Sequence, residues 1–197
     1  PNPVKINSKN EPHFIGMWEL NNDDLCQNII NLFEKRNDRH GQGEIGGAIK
    51  LDKKDTIDIS IDIFELFSES EFSIINPYIN FISNCYMQYC EDWPFLERFK
   101  NVRIGRFNLQ KYHVGQHFSQ IHSERMRLNE SLRLFAFMTY LNDVDSGGET
   151  TFNHYGIKIK PKKGITLIWP AEWTHAHAGL AVESGEKYIA TGWIEMH

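Results

Sequence analysis

Residues 132–170 read LRLFAFMTYLNDVDSGGETTFNHYGIKIKPKKGITLIWP. Short apolar and β-branched runs alternate there with DVDSGG, HYG and PKKG, clusters of the residues that favour tight turns. Each run is too short for a stable helix, so the stretch predicts strands near 132–142, 149–153, 156–160 and 164–169. Working outward, the same texture predicts strands near 102–112 and 116–124 before it. With PAEW and ESGE as turns, two more follow near 175–182 and 187–195. Eight short strands with no helix between them imply a sandwich or jelly roll.

The first hundred residues differ in texture. DDLCQNIINLFEK (23–35) places Cys26, Ile29, Ile30 and Phe33 at helical spacing behind an acidic first turn. NPYINFISNCYMQYC (76–90) offers Asn76 as a cap and Pro77 at the first helical position, with Tyr78, Ile82, Cys85, Tyr86 and Tyr89 on one side. Both stripes read as surfaces that cover a sheet. HGQGEIGG (40–47) follows a helix and lacks a phosphate-loop lysine, so it reads as a mobile loop, and segment 36–60 as a connector rather than a cover for a substrate. At 197 residues the chain suits one domain, 1–197, with a helical support region over 1–100 and a strand-built core over 101–197. The fold class is mainly β with N-terminal helices, α+β.

Composition narrows the function classes. A net charge of −5 and the lack of a basic stripe interleaved with aromatics argue against a nucleic-acid partner. Three cysteines, Cys26, Cys85 and Cys90, are an odd number without CxxC spacing, which disfavours a disulfide framework and a structural zinc site. No apolar run approaches the roughly 18 to 20 residues that span a bilayer, and PNPVKINSKNEPHF (1–14) lacks a secretion signal's apolar stretch. A soluble, cytoplasmic protein without a membrane partner is expected. The NES at Asn129 would then be no glycosylation site.

The chemistry gathers at two places. In QIHSE (120–124), His122 and Glu124 lie two apart on an expected strand and so project to one side. Ferrous iron in oxygen-activating sites is held by two histidines and a carboxylate on one face, leaving the other face open. The missing ligand is expected from THAHAGLAVESGEKY (174–188). If ESG (183–185) is a three-residue hairpin loop with glycine at its left-handed position, Lys187 lies opposite Ala181 and shares a sheet face with Gly179 and His177. Lys187 would then stand roughly 13 Å along from His177, a gap that a metal bond and a five-carbon diacid can fill. His175 has the same parity but is the less well placed ligand. Taken singly, an HxE pair is most often a hydrogen-bonded surface pair, and a lysine beside a turn is most often solvated. An ammonium turned inward demands an anionic partner. The ordered set His122, Glu124, His177 and Lys187 therefore favours a metal site with an anion-binding lysine.

These segments resemble the Fe(II)/2-oxoglutarate dioxygenases, specifically the prolyl 4-hydroxylase-like branch, over about residues 102–195. YHVGQHFSQIHSE (112–124) is similar to that family's tyrosine, glycine and ligand segment. RLFAFMTYLNDVDSGGETTF (133–152) resembles its central strand and GGET motif, and HAGLAVESGEKYIATGW (177–193) its closing histidine, lysine and tryptophan. The resemblance implies a double-stranded β-helix, a jelly roll of about eight strands. It implies His122, Glu124 and His177 as catalytic iron ligands, and Lys187 as the anchor of 2-oxoglutarate. Tyr112, Tyr140 and Thr150 match positions that hydrogen-bond the co-substrate, and Arg133 and Trp193 match positions near a peptide substrate. The implied co-reactants are Fe(II), 2-oxoglutarate and dioxygen, with ascorbate as an accessory. The implied reaction is hydroxylation of an unactivated C–H bond, of a prolyl residue in a peptide or protein first. A free amino acid or another side chain is the alternative, as is a cupin-like metal-binding protein that does not use 2-oxoglutarate. Oligomeric state is not legible. Two departures bear on metal affinity and coordination angle: Glu124 stands where the family usually has aspartate, and the Tyr112 to His122 interval is one residue longer than usual. Related oxygenases that halogenate give up the carboxylate, so Glu124 favours hydroxylation.

Overall fold

Alternation along Lys187–Met196 sorts the interior: Lys187, Ile189, Thr191 and Trp193 turn toward one cavity, while Tyr188, Ala190 and Ile194 pack into an apolar core on the other face. In the computed structural model, which describes residues 2–4, 6 and 12–197, this strand lies inside an eight-stranded antiparallel sheet. The order is Asn2–Pro3, Gly16–Glu19, Ile165–Pro170, Arg133–Tyr140, Lys187–Met196, Val102–Tyr112, Ile57–Ile61 and Gly41–Gln42. A five-stranded antiparallel sheet, ordered Ile157–Ile159, Thr150–Phe152, His177–Gly179, His117–His122 and Lys54–Asp55, packs against its inner face. The eight expected strands divide four to each sheet, as in a double-stranded β-helix. Residues before 100 do more than supply helices, since they extend both sheets at their edges.

The outer face of the large sheet is covered by the helices Asp23–Lys35 and Asn76–Asp92, which bury Cys26, Ile29 and Phe33, and Tyr78, Ile82, Cys85 and Tyr89. Asn22 caps the first helix, its Oδ1 accepting from the Leu25 N–H, and Asp23 and Asp24 complement the dipole there. Asn76 is the first residue of the second helix rather than its cap. A 3-10 segment, Ser70–Ile75, already runs into it, so no extended capping residue precedes it. All three cysteines are free thiols. No described helix is long and apolar enough to cross a membrane.

Three local readings are corrected. HGQGEIGG does not form a loop: Gly41–Gln42 pairs with the Ile57–Ile61 strand, and Glu44–Ile45 forms a hairpin with Ala48–Ile49. Segment 36–60 is also more than a connector, because Glu44, Ile45, Gly46 and Lys54 line the central cavity. The hairpin expected around ESG is absent. Lys187 pairs with Tyr112 in the large sheet, whereas His177–Gly179 belongs to the small one, and Val182 bridges to Gly147 as the chain crosses between them. The lysine therefore faces the histidine from the opposite wall.

Two backbone features aim side chains at the cavity. A register shift between Arg133 and Phe135 leaves Leu134 as an extra residue, so Leu134 packs against the helical core and Arg133 turns into the cavity mouth, against simple alternation. Gly192 allows the Lys187–Met196 strand to seat closely, since a Cβ there would come within 2.5 Å of the Phe107 Cβ and 2.6 Å of Phe137. Gly192→Ala is expected to destabilise the fold by about 1–3 kcal/mol through overpacking, read as a lower denaturant midpoint with an unchanged slope.

Candidate metal centre and co-substrate pocket

His177 pairs with Phe152 on one side and with His122 on the other, so adjacent strands set two imidazoles side by side with ring centroids 4.3 Å apart. Each ring is held by its Nδ1, His122 against the Gln120 carbonyl at 2.8 Å and His177 against the His175 carbonyl at 2.9 Å. A carbonyl only accepts, so each Nδ1 carries the proton and each Nε2 offers a lone pair to the site. Glu124 is not on the strand, which ends at His122. From the following bend its Oε1 reaches to 3.1 Å from His177 Nε2 and 3.7 Å from His122 Nε2. One ligand atom from each residue lies within 4.8 Å of the others.

Electrostatics leave this trio ready for a cation. Burial, reinforced by the neighbouring His177, holds His122 down at about 4, so it is neutral at physiological pH. Burial pushes Glu124 upward, but its close contacts with His177 and His122 and the hydrogen bond from the Trp193 N–H outweigh it and keep the carboxyl below the usual carboxylate range. Two imidazole nitrogens and one carboxylate oxygen are the donor set that suits ferrous iron. His175 sits apart in the 3-10 turn Trp173–His175, with its Nε2 on the His13 carbonyl.

The cavity beside the trio has a volume of about 230 Å³. Lys187 projects into it at 2% exposure. Its Nζ donates to the Gly148 carbonyl at 3.0 Å and sits 4.0 Å above the Tyr112 ring, and among the described residues it has no ion pair. Glu149, the carboxylate that acts on it, is paired to Lys158. Burial accordingly lowers its pKa from 10.5 to about 7. Gly148 holds φ +72, and a Cβ there would meet the lysine stem at 3.2 Å, so the acceptor carbonyl depends on glycine. A buried ammonium with one neutral acceptor fits an anion that arrives with a ligand.

The remaining expected residues surround this cavity. Thr150 lines it and its Oγ1 accepts from the Tyr140 hydroxyl at 2.6 Å, which puts Tyr140 behind it. Tyr112 presents its ring to Lys187 while its hydroxyl donates to Gln110 at 2.9 Å. Arg133 and Trp193 line the mouth and both touch Glu124.

A family model described as the 2OG-Fe(II) oxygenase superfamily matches residues 107–195. Those residues are similar to that superfamily, and the relatives they resemble carry prolyl 4-hydroxylase names. The chain is 31% identical over 114 residues to "Probable prolyl 4-hydroxylase 9" of Arabidopsis thaliana, covering 45% of this chain and 40% of that one. It is 33% identical over 73 residues to the prolyl 4-hydroxylase subunit alpha-2 of Gallus gallus, covering 34% and 14%. The chain thus spans less than half the length of these curated relatives. Solved structures share the fold: a Pseudomonas putida prolyl-4-hydroxylase has a TM-score of 0.71 at 14% identity, covering 94% of both chains. A viral collagen prolyl hydroxylase from Paramecium Bursaria Chlorella virus-1 scores 0.66 at 21% identity, covering 93% of this chain and 96% of that one.

Four residues that line this cavity escape sequence reading. Phe118 stacks on His122 at 3.8 Å and 15°, and its spacing of four from the histidine on one strand face was the available signal. Trp169 packs edge-on to His177 at 5.0 Å with its buried Nε1 unpartnered, and shares parity with Ile165 and Leu167 in the inner core. Lys54 and Gln110 both donate to Asp58, at 2.7 and 2.9 Å. Lys54 sits on a strand of two residues, too short to leave a pattern.

Proposed function

We propose that this chain is an Fe(II)- and 2-oxoglutarate-dependent hydroxylase acting on prolyl residues of a peptide or protein. The observation that carries the reading is the pairing of the His122, Glu124 and His177 donor set with the unpaired ammonium of Lys187 in one cavity. His122, Glu124 and His177 would hold the iron, and Lys187 would bind the far carboxylate of 2-oxoglutarate. When bound, iron with 2-oxoglutarate and dioxygen supplies the oxidising power, converting the co-substrate to succinate and carbon dioxide while one oxygen atom enters a C–H bond. The chain's own part is positional. Gln120 and His175 carbonyls lock the two ligand tautomers, and the Glu124 charge offsets that of the metal. Phe118, Phe152 and Trp169 wall the imidazoles in apolar surface, which excludes water. Of the residues that line the cavity, Glu44, Met126 and Arg127 are exposed to solvent, which marks the side from which a peptide would present one side chain.

Prolyl specificity is supported by the names of the relatives and by the open mouth. Anaerobically reconstituted enzyme, once supplied with dioxygen, should release succinate above the uncoupled background with proline-containing peptides, with a mass gain of one oxygen on proline. Coupled oxidation of a free amino acid, or of a different side chain only, would overturn the substrate assignment and leave the reaction class standing.

Lys187 also sets a pH dependence. An anion bound against it raises its pKa, so affinity for 2-oxoglutarate should be constant below about pH 7 and fall as the free lysine deprotonates above it, approaching tenfold per pH unit. Calorimetric titrations between about pH 6 and pH 9 should show this decline together with uptake of close to one proton on binding at the alkaline end.

A further inference from the structure

We infer that Trp193 is a positioning residue that fixes which oxygen of Glu124 faces the metal, braced by Arg133. The inference rests on the iron-site reading above. Glu124 follows the last paired residue of its strand, so no sheet hydrogen bond orients it, and its side chain has three rotatable bonds. Two contacts hold it instead, and a third links them. The Trp193 indole N–H donates to Oε2 at 2.7 Å, which leaves Oε1 as the oxygen nearest both imidazoles. Arg133 Nη1 donates to the Glu124 backbone carbonyl at 2.9 Å. The same guanidinium lies 3.7 Å over the Trp193 ring, a cation–π contact that keeps the indole in place. Glu130 and Glu195, at 3.7 and 3.9 Å, hold the guanidinium in turn.

The fold is shaped to deliver both braces. The extra residue at Leu134 turns Arg133 into the mouth, and a register shift between Gly192 and Ile194 falls opposite Trp193. Side-chain length then becomes informative. Aspartate would withdraw the carboxylate by about one carbon–carbon bond, roughly 1.5 Å, and could not span from the imidazoles to the indole. Glutamate at 124 is therefore matched to Trp193: one oxygen is committed to the indole and the other to the metal. A carboxylate freed from the indole can turn both oxygens to the metal and occupy a position that the co-substrate needs.

The test is anaerobic Fe(II) titration, followed by 2-oxoglutarate with the visible charge-transfer absorption recorded, on wild type, Trp193→Phe, Glu124→Asp and the double variant. Phenylalanine keeps a ring for Arg133 and removes the donor. Trp193→Phe should weaken Fe(II) binding by about 10–100-fold, the range found for outer-shell partners, and should move the absorption maximum. In the Glu124→Asp background the same change should alter Fe(II) affinity by less than about twofold, because no bond remains to lose. Equal losses in both backgrounds, or an unshifted band with unaltered affinity in Trp193→Phe, would overturn the inference. If Trp193→Phe does not fold, Trp193→Met in the two backgrounds, which also removes the donor, makes the same comparison. A wild type that shows no band contradicts the iron-site reading itself, and a wild-type band with uncoupled variants contradicts only the role of Trp193.

Discussion

His177→Ala is expected to lower Fe(II) affinity by more than about a hundredfold, beyond the usual range for outer-shell losses, and to abolish succinate formation. Removing this imidazole leaves two ligands and takes away the closest partner of Glu124 Oε1, at 3.1 Å. The carboxylate then stays buried with only the Trp193 N–H to hold it in place. His175→Ala, two residues earlier, is the internal contrast. It deletes a bond to the His13 carbonyl and a buried ring, so it should cost about 1–3 kcal/mol of stability while metal binding survives. Iron titration and thermal unfolding of the two variants separate ligand from support.

Lys187→Met is expected to raise the 2-oxoglutarate dissociation constant by more than about a hundredfold with Fe(II) affinity retained, and to raise the melting temperature of the ligand-free protein. Both effects have one cause. The ammonium is buried among Tyr112, Gly148 and Thr150 without an ion pair, a costly state that only a ligand carboxylate relieves. Linkage fixes the sign. With a folded pKa of about 7 against 10.5, the unfolded chain holds more protons between those values, so ligand-free stability should rise with pH across that window. Below it the charge is retained in the fold at full cost. Methionine is close in length and apolar, so the slope should flatten in the variant, as melting curves at several pH values would show.

The strand-rich half was legible because its two signals agree: turn formers punctuate the chain at the residues that later separate strands, and parity along Lys187–Met196 and Ile165–Pro170 matches the two cores. The trio was legible because His122 and His177 lie within strands whose pairing the jelly roll dictates. What failed did so for local reasons. Glu124 was assigned to a strand that stops two residues short of it, yet the bend still delivers its carboxylate. The hairpin around ESG was a reasonable reading of a glycine turn, but pairing of Lys187 with Tyr112 across the other sheet is a long-range choice that no short window contains. Arg133 reaches the mouth only through an extra residue at Leu134, which reverses the parity a sequence reader must assume.

The decisive measurement is the anaerobic addition of 2-oxoglutarate to the Fe(II)-loaded protein, monitored in the visible. A weak charge-transfer band that saturates at one equivalent, and that is lost in His177→Ala and Lys187→Met, is the predicted result. A folded, iron-loaded protein that shows no such band, or one whose band is indifferent to Lys187, would contradict the account.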